Sequence, residues 1–194
     1  AISMKHFNSR SLGVYEKEDR TPVTDADRAV EQALRARLAE TRPSDSILGE
    51  EYGSQGTSRR QWIIDPIDGT ANFMRGIPIW ATLISLVIDG VPEVGVVSAP
   101  GLNRRWWGAT GQGAYLDDDL SDSDVATDRR IQVSAVDELE RASLSYNSLK
   151  GWDEAGRSAH LLEFSRAIWR TRAVGEVWSY MLVAEGALEI AGEF

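Results

Sequence analysis

Trp62-Ile63-Ile64-Asp65-Pro66-Ile67-Asp68-Gly69-Thr70-Ala71-Asn72-Phe73 is the stretch on which the fold turns. Its first three residues are an apolar run of strand length, and that strand delivers two aspartates three residues apart. Pro66 has no amide hydrogen and bars continuation of a ladder, while Gly69 allows a tight turn into what reads as a helix N-terminus. Both carboxylates then gather at a strand's end. Asp-Pro and Asp-Gly alone commonly do no more than cap turns, so the neighbouring residues decide.

Working outward, Glu50-Glu51 follow the apolar Ile47-Leu48 and Gly49, and Asp25 follows Thr24 at the start of a helical pattern. All of these offer hard oxygen ligands, which select Mg²⁺, or Mn²⁺, over zinc. A divalent cation held by such carboxylates polarises a phosphoryl oxygen and makes a nucleophilic water, and the N–H groups of Gly69, Thr70 and Ala71 are suited to hold a phosphate. That is the layout of a phosphomonoesterase.

Further out, Ala26, Ala29, Val30, Ala33, Leu34 and Leu38 recur at helical spacing, with Thr24 as N-cap, Asp27 as its capping partner three residues on, and Arg42-Pro43-Ser44 as the stop. Trp80 to Ile88 and Val94 to Val97 read as a hairpin around Asp89-Gly90, and Arg105-Trp106-Trp107-Gly108 with Gly113 to Leu116 as another, its tryptophans alternating between core and surface. The six aspartates between Asp117 and Asp128 read as a solvated loop; no Gly or distal Glu completes an EF-hand there. A strand (Ala142 to Tyr146), an amphipathic helix around Leu161, Leu162, Phe164 and Ile168, and a helical stretch from Glu176 to Ala187 follow. The chain opens without Met and stops directly after an apolar run, which reads as truncation at both ends.

Composition bounds the chemistry. At 194 residues, 42% hydrophobic and 26% charged, the chain can carry one domain or two small ones. The 21 basic against 30 acidic residues give net charge −9, which argues against bulk attraction to nucleic acid or anionic membrane. No apolar run reaches the roughly 20 residues of a membrane helix. The absence of cysteine excludes disulfides and thiolate chemistry and fits a reducing compartment, and two histidines leave little room for imidazole catalysis.

Gly49-Glu50-Glu51 followed by the Asp65-Pro66-Ile67-Asp68-Gly69-Thr70 string resembles the inositol monophosphatase family of Mg²⁺-dependent, lithium-sensitive phosphatases, over essentially the whole chain. Thr21 to Asp25 looks like its first active-site segment, and Gly175 to Glu193 like its later substrate-side helix and strand. The resemblance implies an α+β fold, a layered α-β-α-β-α sandwich, with a metal-binding subdomain over residues 1–133 and the start of a substrate-side subdomain over 134–194. It implies Glu50, Asp65, Asp68 and the carbonyl of Ile67 as metal ligands for two or three Mg²⁺ (Mn²⁺ as substitute) in the complete protein. Asp25 and Thr70 would orient and deprotonate the attacking water, with Glu50 beside it, and the Gly69 and Thr70 amides would hold the phosphate. Glu51 would lie behind the ligands or serve a weak extra metal, and Glu193 would meet a substrate hydroxyl or amine. The family's further metal-ligating aspartate, in a Trp-Asp motif, falls a few residues past Phe194.

Ser98 to Trp107 and Ala142 to Trp152 look like the histidinol-phosphatase branch. A cationic amino-alcohol bearing an imidazole calls for carboxylates and an aromatic wall, for which Glu176, Glu193 and Trp152 are candidates; Glu176 is equally suited to favour a helix dipole. The expected protein is a cytoplasmic homodimer, without nucleic-acid or membrane partners, hydrolysing L-histidinol phosphate in histidine biosynthesis. Two alternatives stay open: a phosphatase for inositol monophosphate or a related small ester, and a non-catalytic metal-binding scaffold.

Overall fold

The chain enters through a short helix, α1 (Ile2–His6), and a two-stranded antiparallel ribbon of β1 (Val14–Glu16) and β2 (Pro22–Thr24). The computed structural model describes residues 1–17, 21–120 and 128–194, in two units, Ala1–Arg130 and Ile131–Phe194. In the first unit, α2 (Asp25–Thr41) starts where the sequence places it. The Thr24 hydroxyl accepts the Ala26 N–H, and the Asp27 carboxylate accepts the Thr24 N–H at 2.8 Å, a complete capping box.

Strands β3 (Ser46–Gly49), β4 (Gly53–Gln55) and β5 (Arg60–Asp68) precede a one-turn helix, α3 (Thr70–Met74). The hairpins β6 (Ala81–Ile88) with β7 (Val91–Ala99) and β8 (Arg104–Ala109) with β9 (Gly113–Asp117) form as expected. With β10 (Arg129–Ile131) at one edge they make an eight-stranded sheet in the order β10-β9-β8-β7-β6-β5-β3-β4. β3 pairs parallel to β5, and the pairs from β5 to β9 are antiparallel. Register sets the faces: Leu83, Val97, Trp106 and Leu116 align in one row and Ile64, Ile84, Val96, Trp107 and Tyr115 in the next. Trp106 is buried, and Trp107 stacks on Tyr115 with ring centroids 4.4 Å apart, the alternation anticipated for this dipeptide.

The second unit is a parallel three-stranded sheet, β12 (Arg170–Arg172), β11 (Ser143–Ser145) and β13 (Ile190–Ala191) in that order, with α4 (Leu149–Glu154), α5 (Ser158–Ala167) and α6 (Glu176–Ala184). Leu144, Leu161 and Ile168 are its buried centre, with Tyr146, Trp152, Phe164 and Ile190 packed around them. Two helices are shorter than their apolar periodicity suggests. Ile168 already has extended backbone and leads into β12. α6 ends at Ala184 because Gly186 turns left-handed at φ +76, where a Cβ would lie 2.9 Å from the Gln132 carbonyl. Of the acidic segment expected as a loop, residues 121–127 lie outside the described residues, Asp117 closes β9 and Asp118 pairs with Arg129 at 3.6 Å.

Candidate active site

β5 and the residues after it build the site. In a regular strand, residues three apart point to opposite faces. Here Asp65 pairs with Leu83 and Asp68 with Ala81, so three steps on β5 match two on β6, a bulge that returns both aspartates to one side. Gly69 follows at φ 84, a left-handed conformation, and its carbonyl accepts the Phe73 N–H at 2.9 Å to start α3. Beneath α3, Phe73, Trp80, Ile67 and Ala26 are buried together, and Phe7 completes an aromatic triad with ring centroids 4.9–5.5 Å apart. The site loop therefore rests on a rigid base.

Glu50 reaches the same end of the sheet because its N–H donates to the Ile64 carbonyl at 3.1 Å, continuing the β3–β5 pairing by one step. Its side chain hydrogen-bonds that of Asp65. The Asp65 carboxyl is pushed up to about 8, chiefly by burial and then by the negative charges of Glu50, Asp68 and Asp27. Its Oδ1 is buried with no hydrogen-bond partner. Lys17 spans the next two carboxylates, with Nζ 2.7 Å from an oxygen of Glu50 and 2.7 Å from one of Glu51. Burial opposes the Lys17 charge, but the hydrogen bonds and charges of the two glutamates outweigh it and hold its pKa above the ordinary value. Glu51 is raised by burial, with Lys17 pulling the other way.

These donors fit a hard divalent cation in kind and charge: all are oxygens, negative charge is in excess, and one buried carboxylate oxygen lacks any partner. Among the described residues, no three acidic or histidine side chains converge on one point as they stand. The Ile67 carbonyl accepts the Thr70 hydroxyl at 3.0 Å and retains a second lone pair.

One expectation needs correction. The carboxylate that faces Thr70 is Asp27, whose Oδ1 lies 3.3 Å from the Thr70 hydroxyl, and not Asp25. Asp27 is buried, at 1% exposure, and burial raises its pKa although the Thr24 hydrogen bonds oppose this. Asp25 turns toward the β1 side, where a Cβ on Gly13 would lie 2.3 Å from its Oδ2. The first and third residues of the helix differ by some 200° in direction, so only one of the two faces β5. From the sequence alone Asp27 reads as a helix cap.

The remaining candidates, Glu176 and Glu193, lie in the second unit. Glu193 accepts the Asn147 side-chain N–H at 2.7 Å and the Tyr180 hydroxyl. Asn147 is itself oriented, because the Ser145 hydroxyl is 2.8 Å from its Oδ1. Glu176 opens α6 with a left-handed φ of 52, uncommon for a non-glycine residue. Trp152 is part of the unit's core, its indole N–H donating to the Tyr146 carbonyl at 2.9 Å. His160 is exposed on α5.

The chain is a phosphoric monoester hydrolase by its relatives and belongs to the inositol monophosphatase family, whose model matches residues 1–194. Within that family it is 53% identical over 193 residues to a histidinol-phosphatase of Mycobacterium tuberculosis, covering 99% of this chain and 72% of that protein. It is 47% identical to a histidinol-phosphatase of Streptomyces coelicolor, covering 100% of this chain and 72% of that one. Among solved structures, the extragenic suppressor protein suhB of Bartonella henselae superposes with a TM-score of 0.81 at 28% identity, over 96% of this chain and 70% of that one. The α+β fold class expected from the sequence is thereby met. No helix among the described residues is long and apolar enough to cross a membrane.

Proposed function

We propose that this protein hydrolyses L-histidinol phosphate to L-histidinol and phosphate in a Mg²⁺-dependent reaction of histidine biosynthesis. The observation that carries the reading is the match along nearly the whole chain to histidinol-phosphatases of two organisms. Glu50, Asp65, Asp68 and the Ile67 carbonyl would hold the metal. When bound, Mg²⁺ supplies positive charge that polarises the phosphoryl group and makes water more acidic.

The chain's own residues do the rest. Asp27 has one carboxylate oxygen engaged by the Thr24 N–H and hydroxyl, which leaves Oδ1 beside Thr70. Thr70 and Asp27 together orient the attacking water, and the buried Asp27 accepts its proton. The amides of Gly69 and Thr70, at the start of α3 where N–H groups lack intrahelical partners, hold the phosphate. Glu193, kept in place by Asn147 and Tyr180, receives the substrate ammonium, and Glu176 adds a second carboxylate to the substrate side. The working protein is a cytoplasmic homodimer on this reading.

Replacing Asp68 by Asn tests the metal assignment: Mg²⁺-dependent phosphate release should disappear, and unchanged turnover would defeat it. Glu193→Gln should raise KM for histidinol phosphate far more than it lowers kcat. A second reading, hydrolysis of inositol 1-phosphate at the same site, draws on 34% identity over 178 residues to an inositol-1-monophosphatase of Mycobacterium leprae.

A further inference from the structure

Glu31 sits one turn beyond Asp27 on α2 and has no exposed surface at all. A charge buried this completely is costly unless its oxygens are paired. All of its pairs lead to one turn. Oε2 accepts the Glu51 N–H at 2.7 Å, and Oε1 accepts the Tyr52 N–H at 3.3 Å and the Arg35 Nε–H at 2.7 Å. Arg35, one helical turn further along, donates onward to the Gly53 carbonyl and, at 3.2 Å, to Gln55 Oε1, and its guanidinium lies 6.0 Å from the Tyr52 ring centroid. A Cβ at Gly49 would lie 1.9 Å from Glu31 Oε1, so a glycine there lets the end of β3 approach the pair.

The whole β3–β4 turn is thus moored to α2 through one ion pair, and that turn carries Glu50 and Glu51. Asp27, Glu31 and Arg35 fall at i, i+4 and i+8, on one face of one helix. We infer that Glu31 and Arg35 are a positioning pair: by holding the amides and carbonyl of the turn they place the Glu50 carboxylate against Asp65 and the Glu51 carboxylate on Lys17, and so set the site's affinity for a divalent cation. The inference rests on the metal reading proposed above. Neither residue meets the reacting atoms. An ion pair that served stability alone would lower the melting temperature when broken and leave cation affinity of the folded protein unchanged.

Mn²⁺ binding to the gene product, followed by electron paramagnetic resonance on samples shown to be folded by circular dichroism, separates the possibilities. Glu31→Gln and Arg35→Lys should each weaken Mn²⁺ binding by about tenfold or more, the usual effect of losing a residue that orients a ligand. Arg37→Met, which breaks the exposed Arg37–Glu40 pair on the same helix, should leave it unchanged. Wild-type affinity in both folded variants would overturn the inference. If Glu31→Gln fails to fold, Arg35→Lys decides, since it keeps the charge opposite Glu31 but cannot reach Gly53 and Gln55 together. Failure of the wild-type protein itself to bind Mn²⁺ would overturn the metal reading and the inference with it, an outcome visible before any variant is made.

Discussion

Asp25 and Asp27 are two residues apart, and the structure gives them different partners. Asp27→Asn should lower kcat by about 100-fold or more, the ordinary worth of a positioned base, with Asp25→Asn remaining within about threefold of wild type; steady-state kinetics on the two variants decides between them. The difference between expectation and structure has a physical source. A carboxylate that only caps and one that also faces a site have the same sequence signature at the third residue of a helix, and only the approach of Thr70 tells them apart. Asp65 gives a second prediction, on pH. Its carboxyl is pushed up to about 8, chiefly by burial, against about 3.9 in an unfolded chain. Below the unfolded value both states are protonated; above it the unfolded chain releases a proton that the folded protein keeps, so stability falls as pH rises, until about 8. In EDTA the melting temperature should therefore be higher at pH 6 than at pH 8.5, with Asp65→Asn flattening the difference. A melting temperature that rises over this interval would contradict the assignment.

At the scale of the element, Asp-Pro-Ile-Asp-Gly-Thr was legible through its glycine, which takes φ 84, whereas Pro66, expected to end the ladder, sits within a bulge and β5 runs on to Asp68. The long helix and both large hairpins were legible for the same kind of reason, periodicity and turn residues. The bulge between Asp65 and Asp68 was not, since it is a matter of register with β6. Nor were β1, β12, β13 and α4, two to six residues each, which are too short to carry a period of their own. The Glu31–Arg35 pair reads in sequence as an ordinary solvated i,i+4 pair, worth a few tenths of a kcal/mol, and only its burial reveals its role. Two variants probe these elements. Gly49→Ala would press a Cβ against Glu31, so it should lower both the melting temperature and Mn²⁺ affinity. Phe73→Ala removes a ring at 1% exposure beneath α3 and should cost about 3–5 kcal/mol in denaturant unfolding.

For the whole molecule, the cation site proposed at the carboxylate-rich end of the eight-stranded sheet would make cation binding and stability one property. Mg²⁺ that binds the folded state alone stabilises it by about 2.7 kcal/mol at a concentration 100 times its dissociation constant. The melting temperature should accordingly climb with added Mg²⁺ and return on chelation, and Asp68→Asn should abolish the climb. The family was legible from one string of residues, whereas Glu193, proposed to receive the substrate, meets Asn147 and Tyr180, residues distant in sequence and joined only by folding. Hydrolysis of L-histidinol phosphate is tested most directly by phosphate release from the gene product with Mg²⁺, comparing L-histidinol phosphate and inositol 1-phosphate at equal concentration, with EDTA as control. A strong preference for histidinol phosphate that vanishes in EDTA is the predicted result; a preference for inositol 1-phosphate, or release that survives chelation, would contradict it.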